Sequence, residues 1–219
     1  MVKAILLDID DTLFPSTEFS EKARKHAVQA MVREGLDAEP DAVYALLGKI
    51  VEARGSNYPK HFDALLEKLG VEKDPRIVAA AVGAYHNAKG TIAPFPDVPK
   101  TLVQLRDRGF RLYAVSEGNS VKQWDKLIRL GLQFFFHGAF ISEDVGCEKN
   151  DRFYAIVLKK LGLPAKEVLM VGDRVDKDIA PAKKAGMRTA RIFHGKYSKQ
   201  TGTKADFEIA RIGDLLKVV

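Results

Sequence analysis

Five short runs of branched and apolar residues constrain this chain more than any other feature: Lys3 to Ile9, Arg111 to Val115, Ala139 to Ile141, Val168 to Val171 and Thr189 to Phe193. Runs of this length, apolar without alternation, suit strands that are covered on both faces, as in parallel sheets. Helical patterns separate most of them. Asp97 and Ser120 stand where N-caps are expected, and Gly109, Gly131, Gly162 and Gly186 stand where helices should stop. Alternating strand and helix signals predict an α/β fold with an open parallel sheet.

One stretch breaks the alternation. Between Thr17 and Lys89 no strand pattern occurs, and helical segments fit at 18–33, 41–53, 59–69 and 75–88. Gly35 and Gly70 follow the first and third. Asp74-Pro75 supplies a cap and a first-turn proline for the fourth. Thr91 to Pro96 then reads as a stiff return segment. An all-helical module of roughly 75 residues is therefore expected just after the first strand. The expected division is a core of 1–14 and 96–219 with an inserted helical domain of 15–95.

A chain of 219 residues can bury one core plus a smaller accessory unit. No apolar run approaches the roughly 20 residues that cross a bilayer, and Met1-Val2-Lys3 leads into the first strand without a cleavage site. The expected location is cytoplasmic, with no membrane partner. Cys147 is the single cysteine, so no internal disulfide can form. The net charge of +6 is spread along the chain and interleaved with 29 acids. It forms no basic stripe with aromatic platforms, so nucleic acid is not an expected partner. The sequence sets no oligomeric state, and a monomer is the default expectation.

Four constellations carry chemistry. Asp8-Ile9-Asp10-Asp11-Thr12 follows the first strand. Ligands bind beyond the carboxyl ends of strands in open parallel sheets, and residues two apart on an extended chain face the same way, as Asp8 and Asp10 would. Clustered carboxylates need compensation, and hard oxygen ligands suit magnesium. A calcium loop of the EF-hand type is disfavoured, because no helix precedes Asp8 and its sixth position would be Leu13 instead of glycine. Ser116 ends the next strand, and Glu117-Gly118-Asn119-Ser120 leads into a helix whose free amides could hold phosphate oxygens. Lys149 lies in Cys147-Glu148-Lys149-Asn150-Asp151. Asp173 and Asp178 lie in Val171-Gly172-Asp173-Arg174-Val175-Asp176-Lys177-Asp178, again after an apolar strand. Taken singly, each also fits a blander reading: an Asp-rich turn, a capping serine, a solvated lysine, or first-turn acids at a helix start.

Together, in this order and each beyond a strand end, the four resemble the haloacid dehalogenase superfamily of phosphatases. The inserted helices resemble the C1-type helical cap of its first subfamily. The resemblance covers the chain and implies a Rossmann-like core with an all-helical cap. It also implies magnesium-dependent hydrolysis of a small phosphorylated metabolite through an aspartyl-phosphate.

The implied roles are Asp8 as nucleophile, Asp10 as general acid and base, and Lys149 as the cation steadying nucleophile and phosphoryl group. Ser116, the backbone N–H groups of Glu117 and Gly118, and Lys149 would bind phosphate. Asp8, the Asp10 backbone carbonyl and Asp173 would hold magnesium, with Asp178 a further ligand or an orienter of its waters. Phe14, Asn57 and Tyr58 are the candidates for walls of the substrate pocket. Three residues depart from the common pattern: Asp11 where glycine is frequent, Glu117 where asparagine is, and Asn150 where proline is. With Asp10 protonated, three ionised acids balance Mg²⁺ and Lys149, provided Asp11 and Glu117 point outward.

Three other enzymes of the superfamily compete. A 2-haloacid dehalogenase would leave Asp10 and the Asp173/Asp178 pair without work. A phosphonate hydrolase and a sugar-phosphate mutase are the others, and the former would need a reactive cap lysine, for which Lys60 and Lys89 are unsupported candidates. A non-catalytic binding protein on this fold would be expected to have lost one of the four motifs, and none is lost.

Overall fold

The computed structural model describes residues 1–219 throughout. Six strands form one sheet: β1 (Ala4–Asp8), β2 (Arg111–Ser116), β3 (Gly138–Ile141), β4 (Val168–Gly172), β5 (Arg188–Ile192) and β6 (Phe207–Ile209). All pairings are parallel, in the order β3-β2-β1-β4-β5-β6. This is the Rossmann-like α/β core expected from the strand pattern. Every residue of β1 and β4 is buried, which is why both read as unbroken apolar runs.

The strand order reverses at β1, whose Leu7 pairs with Ala114 on one side and Val171 on the other. A crevice opens at such a reversal, beyond the carboxyl ends of the strands. The chain passes that end after β1, β2, β3 and β4, and these are the places where the four constellations lie. One layer of the core packs Phe153, Tyr154 and Val157 of a helix at Asp151–Leu161 against Leu6, Val115 and Met170 of the strands.

Contacts divide the chain into two compact units, one of residues 1–17 with 93–219 and one of residues 18–92. The second is built from α1 (Ser16–Arg33), α2 (Pro40–Arg54), α3 (His61–Lys68) and α4 (Pro75–Ala88). Its own core gathers Met31, Val43, Leu47, Leu65, Leu66 and Ile77, spaced along the helices at intervals that put them on one face. Pro75 occupies the first turn of α4, and the Asp74 carboxylate accepts from the Arg76 N–H at 2.8 Å.

Two expected caps differ. The helix after β2 is α6 (Ser120–Arg129), counting α5 (Val98–Asp107) before it, and its cap is Asn119, not Ser120. The Asn119 side chain accepts from the Lys122 N–H at 3.1 Å, and one residue of register decides which oxygen can reach. Asp97 leaves α5 uncapped because its carboxylate accepts from the Gly213 N–H at 2.7 Å.

Candidate active site

Asp8 ends β1 and Lys149 follows β3, yet their side chains meet at 2.5 Å with only 6% and 2% of the two residues exposed. Lys149 also pairs with Asp178, which is fully buried. Asp178 arrives there by a π-helical turn, Val175–Ile179, that directly follows the β4 loop. That turn brings the Asp178 carboxylate back over Gly172, where any Cβ would overlap it, and lets it accept from the Arg174 N–H at 3.0 Å. Glycine at 172 is thus a packing requirement of the site.

Asp173 completes the group: Asp8, Asp173 and Asp178 can bring carboxylate oxygens within 4.8 Å of one another. Asp173 is 2% exposed. Burial, with the charges of Asp8 and Asp178 behind it, pushes Asp173 up to about 9. Burial likewise raises Asp8 to about 7, against the pull of Lys149. Burial alone would lower Lys149, but Asp178 and Asp8 hold it well above its usual value. Three buried acids around one buried cation leave a charge deficit. A hard divalent cation fits that donor set, which offers oxygen only.

Asp10 and Ser116 lie at the same end of the sheet. The Asp10 carboxylate acts on Asp8 from two residues away. Ser116 is 2% exposed, and its hydroxyl donates to Gln123 Oε1 at 3.0 Å. Gln123 Nε2 in turn donates to the Glu117 carbonyl at 3.1 Å, so one buried side chain fixes the turn after β2. The Gly118 N–H, expected to face phosphate, is instead donated to Ser142 Oγ at 2.8 Å. Phe14 is buried against the same loop, bridged to Asp10. Asn57 and Tyr58 belong to the helical unit, on the turn between α2 and α3. There Tyr58 lines a cleft of about 390 Å³ with Lys60, Asp63 and Lys73.

The two extra acids behave differently from the charge count. Glu117 does not point outward; Lys177 Nζ reaches it at 3.2 Å and the Lys149 N–H donates to it at 3.2 Å. Asp11 is 4% exposed and accepts from the Thr17 N–H at 2.9 Å and from the Thr17 hydroxyl at 2.5 Å. It thereby serves the N-terminus of α1, where a carboxylate is favourable. Sequence reasoning missed Gln123, Lys126 and Lys177. Gln123 and Lys126 sit on the helix just past the second motif, and Lys177 lies inside the fourth. The spacing Gln123-x-x-Lys126, one face of α6, is the signal that could have found two of them.

Comparisons with known proteins identify the family. The model of the haloacid dehalogenase-like hydrolases matches residues 2–186. The chain is 48% identical to the glyceraldehyde 3-phosphate phosphatase of Methanopyrus kandleri, over all of this chain and 97% of that protein. It is 42% identical to the enzyme of the same name from Methanocaldococcus jannaschii, again over all of this chain and 97% of that one. In structure it is similar to the HAD phosphatase from Thermococcus onnurineus, with a TM-score of 0.73, 24% identity, and coverage of 99% and 97% of the two chains. Fold and sequence agree, and the chain belongs to the haloacid dehalogenase-like hydrolases.

Proposed function

We propose that the protein hydrolyses glyceraldehyde 3-phosphate to glyceraldehyde and orthophosphate, with magnesium held beside Asp8. That it is a phosphomonoester hydrolase acting on a small phosphorylated metabolite follows from its family and its full-length relatives. The particular substrate is inferred from the names of those relatives. The observation that carries the mechanism is the buried group of Asp8, Asp173 and Asp178 around Lys149.

Asp8 is assigned as nucleophile. Its carboxylate oxygen attacks phosphorus, the bond to the leaving oxygen breaks, and the electron pair leaves with that oxygen. Lys149 holds Asp8 in place and offers charge to the phosphoryl oxygens. Ser116 Oγ and the Glu117 N–H are assigned to bind phosphate; the Gly118 N–H would first have to leave Ser142. Asp10 gives its proton to the leaving oxygen, then takes one from the water that cleaves the aspartyl-phosphate. Asp8, Asp173 and the Asp10 carbonyl are the proposed ligands of magnesium, which when bound neutralises charge and polarises phosphoryl oxygens. Asp178, engaged at both oxygens by Lys149 and Arg174, is assigned to orient the lysine. The helical unit is assigned the choice of substrate, with Asn57, Tyr58 and Phe14 as proposed contributors.

The test is phosphate release from glyceraldehyde 3-phosphate, phosphoglycolate and phosphoserine, with magnesium and with EDTA. We expect the largest kcat/KM for the triose phosphate, loss of turnover in EDTA, and no turnover by Asp8→Asn. Hydrolysis by Asp8→Asn near the wild-type rate would overturn the mechanism. A preference for another of the three substrates would overturn the substrate alone.

A further inference from the structure

Asp10 is not alone at the mouth of the site. Lys126 Nζ, from a position 116 residues later, reaches both of its carboxylate oxygens, at 2.7 Å and 2.6 Å. A lysine paired with a surface acid usually contributes little. This pair differs in three respects.

The first concerns the backbone. Asp10 needs no help from Lys126 to be placed, because the loop is already closed by the Leu13 N–H donating to the Ile9 carbonyl at 3.0 Å and by the bridge from Asp10 to Phe14. What Lys126 fixes is the carboxylate. The second concerns the helix that carries it. Gln123 and Lys126 are three apart on α6 and so lie on one face. Gln123 grips Ser116 and the Glu117 carbonyl, Lys126 grips Asp10, and Asn119 caps the helix that bears both. The third concerns where the lysine rests. Its side chain is 27% exposed, and its ammonium group stands 6.0 Å from the centre of the buried Phe14 ring. That ring limits the directions the lysine can take.

We propose that Lys126 is a positioning residue for proton transfer: it holds the Asp10 carboxylate toward the leaving oxygen and stabilises the anion that Asp10 becomes. The inference rests on the role assigned to Asp10 above. In the first half-reaction the proton of Asp10 passes to the leaving alkoxide, and the new carboxylate closes on Lys126, as in this structure. In the second, that carboxylate takes a proton from water as the water's oxygen bonds to phosphorus. The bond from phosphorus to Asp8 then breaks and Asp8 regains its carboxylate. The sum is phosphomonoester plus water giving alcohol and orthophosphate, and Lys126 neither gains nor loses a proton.

Leaving groups provide the test. An alkoxide must be protonated as it departs, whereas p-nitrophenolate departs without a proton. Lys126→Met and Lys126→Arg are compared with wild type, using p-nitrophenyl phosphate and an alkyl phosphate. The alkyl phosphate is glyceraldehyde 3-phosphate, or phosphoglycolate where the wild type turns that over instead. We expect Lys126→Met to lower kcat/KM for the alkyl phosphate on the order of tenfold or more. With the aryl phosphate kcat/KM should stay within about threefold of wild type, which also shows that the variant is folded. KM for the alkyl phosphate should change little, and Lys126→Arg should recover much of the loss. Equal losses with both substrates, a rise in KM with kcat unchanged, or no loss with either would each overturn the inference. None of those results touches the assignment of Asp8, which the Asp8→Asn variant tests separately.

Discussion

Two residues apart on one loop, Asp8 and Asp10 meet different surroundings. Asp8 is buried against Lys149 and Asp178, while Asp10 keeps 39% of its side chain exposed and faces Lys126. Burial and a fixed cation suit a nucleophile that must not move; an open edge suits a group that trades protons with substrate and water. Asp10→Asn keeps the shape and removes the proton. We expect kcat to fall by roughly 10²- to 10⁴-fold with the fold intact, measured by steady-state phosphate release alongside circular dichroism. A fall below about threefold would mean that proton transfer does not pass through Asp10. The acids of this site were legible in the sequence because each stands at the end of an apolar run or, as Asp178 does, in the turn that follows it. Their partners were not: Lys126 acts on a residue 116 positions away from a stretch whose pattern is that of any solvated helix, and Lys177, inside the last motif, acts on one 60 positions away.

At the scale of elements, the segment after β4 sets the site's precision. There a π-helical turn, Val175–Ile179, carries Asp178 to its pairing with Lys149. Gly172 leaves the space. Gly172→Ala would push against the Asp178 side chain and shift Asp178 off Lys149. The expected cost is about 1–3 kcal/mol of stability, with activity lost well beyond what unfolding explains. Thermal melts paired with kcat at a temperature where the variant is folded would check this; a lowered melting point with normal kcat would show that Asp178 tolerates the shift.

The strand pattern announced five of the six strands. The sixth, Phe207–Ile209, is three residues long with Glu208 at its centre, too short and too polar at an edge to register as an apolar run. Helix existence was legible and helix caps less so, since a cap depends on which oxygen the last turn happens to reach, as Asn119 and Asp97 show.

For the molecule as a whole, the acid cluster ties stability to pH and to the cation. Asp8 and Asp173 have ordinary values of 3.8 when exposed, and burial raises them to about 7 and about 9 in the folded metal-free protein. Between those limits the folded chain binds more protons than the unfolded chain. Stability from this source is therefore complete below about pH 4 and is lost progressively as pH rises through 7 and toward 9. A divalent cation needs both groups deprotonated, so its binding grows stronger over the same window and opposes the loss. The gap in melting temperature between magnesium-saturated and EDTA-treated protein should widen from pH 6 to pH 9. At about 1.4 kcal/mol per proton per pH unit as an upper limit, and about 2–4 °C per kcal/mol for a chain of this size, the widening has an upper limit of about 10–20 °C. Trp124 is the sole tryptophan and lies in the sheet-bearing unit, so its fluorescence follows that unit's unfolding without interference from the helical one. In Asp173→Asn the gap should shrink and its pH dependence weaken, because the variant keeps the volume and loses one of the two titrating ligands. A gap that stays constant from pH 6 to pH 9 in the unaltered protein would place the cation somewhere other than among these acids.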